Sequence, residues 1–139
     1  MKDYLPICPA PVSEPTARQY PSLTLAYLGD GVHTLWVRTR MLADGPCKVG
    51  QIHETVCAQV CASAQAKALA AVVDILSESE SDVVRRARNA HVNTVAKHAS
   101  LADYKSATAF EALIGYLYLI GAHERLSQVL ACADAAPQA

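Results

Sequence analysis

Two carboxylates stand alone in apolar surroundings. From Ser22 to Val37 the only Asp, Glu, Lys or Arg is Asp30, set among Leu25, Tyr27, Leu28, Val32, Leu35 and Trp36 and flanked by Gly29 and Gly31. From Ser106 to Ala122 the only one is Glu111. A carboxylate taken out of water needs a cation, a set of donors or a raised pKa. Two readings stay open on the residues alone. Each acid could be structural, bonding an arginine or a hydroxyl or lying at a helix surface. Alternatively the two face each other and share a divalent ion. Magnesium takes hard oxygen ligands, keeps several waters and commonly uses one or two carboxylates plus substrate phosphate. That chemistry fits phosphodiester hydrolysis. The paired glycines sharpen the question, because two in mid-helix cost about 2 kcal/mol relative to alanine. A helix keeps them readily when something must approach its backbone.

The basic residues are gathered elsewhere. Arg85, Arg86, Arg88, Lys97 and Lys105 fall within one segment whose only acid is Asp103, with Asn89, His91 and Asn93 among them. Such a cluster positions a phosphate backbone without reading bases; a solvated helix end is the plainer reading. No aromatics are interleaved, so a single-strand stacking platform is not indicated, and shape recognition of a duplex fits better. Arg38 and Arg40 close the first helix, where cations suit the dipole, and are read as structural.

These residues need elements to carry them. Five prolines fall within the first 21 residues, which read as an extended arm. Pro21 suits a helix start and Asp44-Gly45-Pro46 a stop, giving a first helix over Ser22 to Ala43. Val49 to Leu76 is alanine-rich and reads as helical, with a kink or new start near Ser63. Ser79 to Asp82 looks like a cap for a short third helix. His91 to Ser100 reads as a loop. Asp103 or Ser106 opens an apolar helix ending near Gly121, and Glu124 to Ala135 forms the last. No useful strand alternation and no internal repeat are present. The expected architecture is a single all-α domain of five or six helices: an arm over 1–21, the domain over 22–135 and a short tail over 136–139.

Composition sets the bounds. The chain has 139 residues, 52% of them apolar and 18% charged, with a net charge of -1. That describes one globular domain with a real core, and any nucleic-acid partner must be argued from where charges sit. Five cysteines lack a paired short spacing; Cys57 and Cys61 share a helix face with His53 nearby, as a minimal zinc candidate or as free thiols in a reducing compartment. No leader is visible in Met1 to Pro21. Ser106 to Ala122 is interrupted by Glu111 and short for a membrane span. The expected address is cytoplasmic, with no membrane partner.

Leu23 to Val32 (Leu-Thr-Leu-Ala-Tyr-Leu-Gly-Asp-Gly-Val) resembles the signature helix of the ribonuclease III family. Thr108 to Leu119 (Thr-Ala-Phe-Glu-Ala-Leu-Ile-Gly-Tyr-Leu-Tyr-Leu) resembles its second catalytic helix. The likeness extends over about Leu23 to Leu130 and is greatest to the Mini-ribonuclease III branch, which lacks a double-stranded RNA-binding domain. Arg85-Arg86-x-Arg88-Asn89-Ala90, Thr94-x-x-Lys97 and Ser63-Ala64-x-Ala66-x-Ala68 also look like that branch. The resemblance implies a ribonuclease III catalytic domain, a helical bundle acting as a homodimer that cuts both strands of duplex RNA and leaves 5′-phosphates. It implies Mg2+, with Mn2+ able to substitute, and Asp30 and Glu111 as catalytic metal ligands. On the charge pattern, Arg85, Arg86, Arg88, Asn89 and Lys97 are the expected RNA-binding residues. The branch is associated with trimming precursor 23S ribosomal RNA, with a large-subunit ribosomal protein as a possible assistant.

Three departures matter. Full-length family members carry further carboxylates where this chain has Ala26 and Thr108, places that share a helix face with Asp30 and Glu111. Gly31 stands where alanine is usual. His53 to Cys61 is poorer in basic residues than the branch. The competing readings are a catalytically silent duplex-RNA-binding module of the same fold, and a helical interaction protein using Trp36 and the tyrosines.

Overall fold

The computed structural model describes residues 10–43, 45, 48–90 and 100–134. In chain order its helices are α1 (Glu14–Arg18), α2 (Ser22–Ala43), α3 (Val49–Val60), α4 (Ala62–Val72, followed by a 3-10 turn over Val73–Ile75), α5 (Glu78–Arg88), α6 (Leu101–Leu119) and α7 (His123–Asp134). Among the described residues there is no strand, and the all-α class holds. The described residues form seven α-helices rather than the five or six expected. The arm supplies one of the additions, and a break in the second helical region supplies the other.

The most apolar helix is the axis of the fold. From Ala107 to Leu117 every residue of α6 except Glu111 is buried, as a helix hydrophobic on all sides must be. It packs chiefly on α2, with α4 and α5 on its flanks and α7 behind α4. The core is built from Phe110, Leu113, Ile114, Tyr116 and Leu117 with Leu25, Leu69, Val72, Val83, Leu126, Val129 and Leu130. Ser100 caps α6, its hydroxyl accepting from the Asp103 amide at 3.0 Å. The helix therefore starts earlier than the Asp103 or Ser106 expected from its apolar run. It ends in a Schellman arrangement: the Ala122 amide donates to Leu117 and the Gly121 amide to Tyr118, both at 3.0 Å. Gly121 supplies the positive φ of 72° that this stop requires.

Residues 10–21 of the arm are tied down. Ser13 caps α1, where Pro15 sits in the first turn and lacks only an amide that would be unpaired anyway. Ala17 is wholly buried. The Val12 amide donates to the Leu119 carbonyl at 3.0 Å, and the Tyr116 hydroxyl donates to Glu14 at 3.0 Å.

α2 has the bounds the sequence predicted. α3 and α4 part at Cys61, whose extended ψ of 161° ends one helix and begins the next, bending the pair by 55°. The cap of α5 lies two residues before the predicted one. Ser77 accepts from the Glu80 amide at 3.2 Å while Glu80 accepts from the Ser77 amide at 2.8 Å, a reciprocal capping box. Burial alone would raise the Glu80 carboxyl, but Arg125 and the Ser77 amide outweigh it and hold it below its usual range. The Arg125–Glu80 pair, at 2.8 Å, joins α7 to α5. Among the described residues no single helix is long and apolar enough to cross a membrane; only the bent α3–α4 pair meets the length and composition test.

Candidate active site

The site begins with two glycines. A Cβ on Gly29 would lie 1.7 Å from the Glu111 carbonyl oxygen, and one on Gly115 would lie 2.0 Å from that of Leu25. No side chain fits at either place, so α2 and α6 cross backbone to backbone. Leu25/Gly29 and Glu111/Gly115 are each four apart, one turn, so the two contacts stack along one seam. Gly31 differs: nothing lies within 4 Å of its Cβ position. One glycine of the pair is thus required by close approach, and the other faces open space.

The crossing brings the two lonely acids together. Asp30 follows Gly29 on the exposed side of α2, and its carboxyl meets that of Glu111, which is half-buried on α6. Burial pushes the Glu111 carboxyl up to about 8, the contact with Asp30 and its charge add to this, and the Gln65 amide opposes it. Two carboxyls so placed share a proton or hold a cation. The described residues contain no cluster of three or more His, Cys, Asp or Glu side chains suited to a metal. Two oxygen donors with an open side fit magnesium, which retains waters and takes substrate phosphate; a closed zinc site would need four ligands. The former acid positions are filled otherwise. Ala26 is buried, and the buried Thr108 turns its hydroxyl back to the Tyr104 carbonyl at 2.9 Å.

Behind the acids lies a polar link that sequence reasoning missed. Gln65, on α4 and only 3% exposed, places its Nε2 3.1 Å from Nδ1 of the buried His33 on α2. Its amide also supports the ionised form of Glu111. The His33 ring stands edge-on to Phe110 with centroids 5.0 Å apart. Burial lowers its pKa to about 4, although the charges of Asp30 and Asp134 pull the other way. A neutral imidazole can accept from Gln65 through Nδ1. Two signals were available: His33 lies one turn after Asp30, and Gln65 is the unassigned position in Ser63-Ala64-x-Ala66.

The predicted basic residues divide. Arg85, Arg86, Arg88 and Asn89 are all exposed at the end of α5; Lys97 lies outside the described residues, and Lys105 is half-buried. Asp82 draws in three arginines: it bonds Arg85, pairs with Arg18 at 2.9 Å, and lies 3.9 Å from Arg86. Arg86 also donates to the Arg18 carbonyl at 2.7 Å. Arg18 was not expected in this patch. Arg88 donates to Ser106 at 3.2 Å, five residues before Glu111. That is about 7.5 Å along α6 and roughly 140° around it, so the patch flanks the acids instead of lining them. Arg40 is structural, pairing with Asp134 at 2.6 Å and lying over Trp36. Trp36 itself packs on the core. Cys57, Cys61 and Cys132 are free thiols, Cys57 being 3.5 Å from His53 Nε2; Cys8 and Cys47 lie outside the described residues.

With the geometry in place, relatives can be compared. A model of the ribonuclease III domain matches residues 23–121, which include both acids and both glycines of the seam. A Mini-ribonuclease 3 of Symbiobacterium thermophilum is 49% identical over 113 residues, 81% of this chain and 87% of the relative. The chain belongs to the Mini-ribonuclease 3 branch of the ribonuclease III family. A Mini-ribonuclease 3 of Synechocystis is 40% identical, covering 92% of this chain and 90% of its own length. A crystal structure of a Fusobacterium nucleatum protein superposes with a TM-score of 0.76 at 31% identity, over 82% of this chain and 91% of that one. The same fold is thus shared over about four fifths of this chain.

Proposed function

We propose that this chain is a magnesium-dependent endoribonuclease that hydrolyses double-stranded RNA and leaves 5′-phosphate and 3′-hydroxyl ends. Endonucleolytic action on duplex RNA follows from the family; the metal, the products and the natural substrate are our reading. The observation that carries it is the convergence of Asp30 and Glu111 at a crossing with no side chains between the helices.

Asp30 and Glu111 would hold Mg2+, with Mn2+ able to substitute. When bound, that ion lowers the pKa of a water and screens charge on the phosphate. The chain's own part is positional. The glycine seam fixes the spacing of the two carboxyls, and the exposed side of Asp30 leaves room for the RNA backbone. The core behind Glu111 keeps that acid from swinging away. Hydrolysis adds a water oxygen to phosphorus and breaks the bond to the 3′ oxygen, which departs and takes up a proton. Arg85, Arg86, Arg88 and Asn89, with Lys97 by sequence and Arg18 by structure, would steady the flanking phosphates.

A homodimer gives one acid pair for each strand. Its support is the outer face of α2, where Tyr27 is 85% exposed and Leu23 47% exposed, one turn apart on the helix that bears Asp30. Apolar groups so placed favour a second protein surface. The proposed substrate is precursor 23S ribosomal RNA, trimmed in the cytoplasm, with a large-subunit ribosomal protein as a candidate assistant.

The deciding experiment supplies purified protein with a long RNA duplex and magnesium. Shortened duplexes are expected, with cutting stopped by chelator. Duplex binding without cutting in any divalent ion would instead identify a silent RNA-binding module.

A further inference from the structure

We propose that Gln65 is a positioning residue for the acid pair, clamped by His33 so that its amide nitrogen faces Glu111. The inference rests on the metal-binding reading of Asp30 and Glu111, and it extends the site to a third helix, α4.

The geometry runs in one direction. Gln65 is 3% exposed and His33 7%, so neither can turn to water for a partner. A buried amide must therefore find protein donors and acceptors on both of its ends. Its Nε2 lies 3.1 Å from His33 Nδ1. If that nitrogen is the acceptor, the imidazole proton sits on Nε2 and the amide group must present NH2, not oxygen. The NH2 carries two hydrogens: one goes to His33 and the other is available to Glu111. Once Glu111 is ionised to hold a metal, the opposite orientation would set an amide oxygen against a carboxylate, two acceptors with no proton between them. The identity of the His33 tautomer thus selects which face of Gln65 the acid meets.

Packing explains why the link belongs to the acids and not to the core at large. His33 is one turn beyond Asp30 on α2, and it is held edge-on by Phe110, the residue immediately before Glu111. Gln65 comes from the helix on the other flank of α6. One amide therefore joins the two catalytic helices behind the carboxyls. Groups that orient metal ligands in this way typically affect affinity or activity by about 10- to 100-fold.

Gln65→Met keeps an unbranched chain of similar length and removes the donor. In Gln65→Met the rate constant kcat for duplex cleavage is expected to fall about 10-fold or more, with KM for the duplex unchanged. Mn2+ binding to the RNA-free protein, followed by electron paramagnetic resonance, should weaken by a similar factor. His33→Leu should give a smaller loss, and no further loss when added to Gln65→Met, because it acts through Gln65. Nitrogen-15 spectra of the wild-type imidazole should show His33 protonated at Nε2, with Nδ1 accepting. Additive losses in the double variant would reduce Gln65 to packing and overturn the inference, as would unchanged Mn2+ affinity in Gln65→Met or a proton on Nδ1. If wild-type protein binds Mn2+ yet never cuts duplex RNA, the nuclease reading falls, while the Mn2+ comparison still decides the role of Gln65.

Discussion

Asp30 lies against Glu111 across the seam of α2 and α6 and helps raise that carboxyl to about 8. In the metal-free protein at neutral pH, Glu111 therefore keeps its proton. Glutamine is the uncharged analogue of that state. Glu111→Gln is expected to leave the melting temperature near neutral pH almost unchanged while abolishing cleavage. Asp30→Asn should likewise fold and fail to cut. Differential scanning fluorimetry beside a duplex-cleavage assay separates the two effects; normal cutting by either variant refutes the site.

The glycines on either side of Asp30 should respond in opposite ways. Gly29→Ala drives a methyl into the Glu111 backbone and is expected to cost more than about 3 kcal/mol, with loss of activity. Gly31→Ala meets nothing within 4 Å and should stabilise by roughly 0.5 to 1 kcal/mol through helix propensity. Urea denaturation of the two proteins tests this, and equal effects would remove the seam from the account.

His33 sets an acid limit. Its folded pKa of about 4 lies below the ordinary 6.5, so the unfolded chain binds the proton first as pH falls. The stability it contributes is full above about 6.5 and is lost between there and about 4, a total of about 3 kcal/mol. Glu111 titrates the opposite way, the folded chain holding its proton up to about 8. The decline in denaturation midpoints should therefore emerge in the Glu111→Gln background, where that opposing titration is gone. With His33→Leu added, this part of the decline should vanish.

Replacing Arg85 and Arg86 with alanine should weaken duplex binding and lower the slope of log affinity against log salt by up to about 2. Asp82→Asn frees three arginines from their shared acid and should strengthen binding at low salt. Fluorescence anisotropy on one duplex across a salt series reads both. A slope that moves in neither variant excludes the patch from the RNA path.

Some of this was legible from sequence because it is local. Pro21 marks the start of α2, and isolated acids in apolar runs announced Asp30 and Glu111. The kink between α3 and α4 was foreseen near Ser63 and falls at Cys61, within the usual uncertainty of a cap. The start of α5 was misplaced because several serines could serve, and only the Ser77–Glu80 spacing closes the reciprocal pair. The link from Gln65 to His33 left only partial marks, the one-turn spacing of His33 from Asp30 and the unassigned place in Ser63-Ala64-x-Ala66. It joins residues 32 positions apart, and one amide in an alanine-rich helix carries no periodic signal of its partner. Arg18 was hidden similarly, since the arm's prolines spoke for an extended chain and said nothing of Asp82.

The helix that carries Glu111 is also gripped by the arm. Val12 holds Leu119, Glu14 holds Tyr116, and Pro11 abuts the turn at Gly121. Tyr116 is only five residues beyond Glu111. A shortened version of this protein that begins at Pro21 would release the trailing end of the very rod that aims one of its two acids, so trimming for crystals or tags should stop short of Pro11.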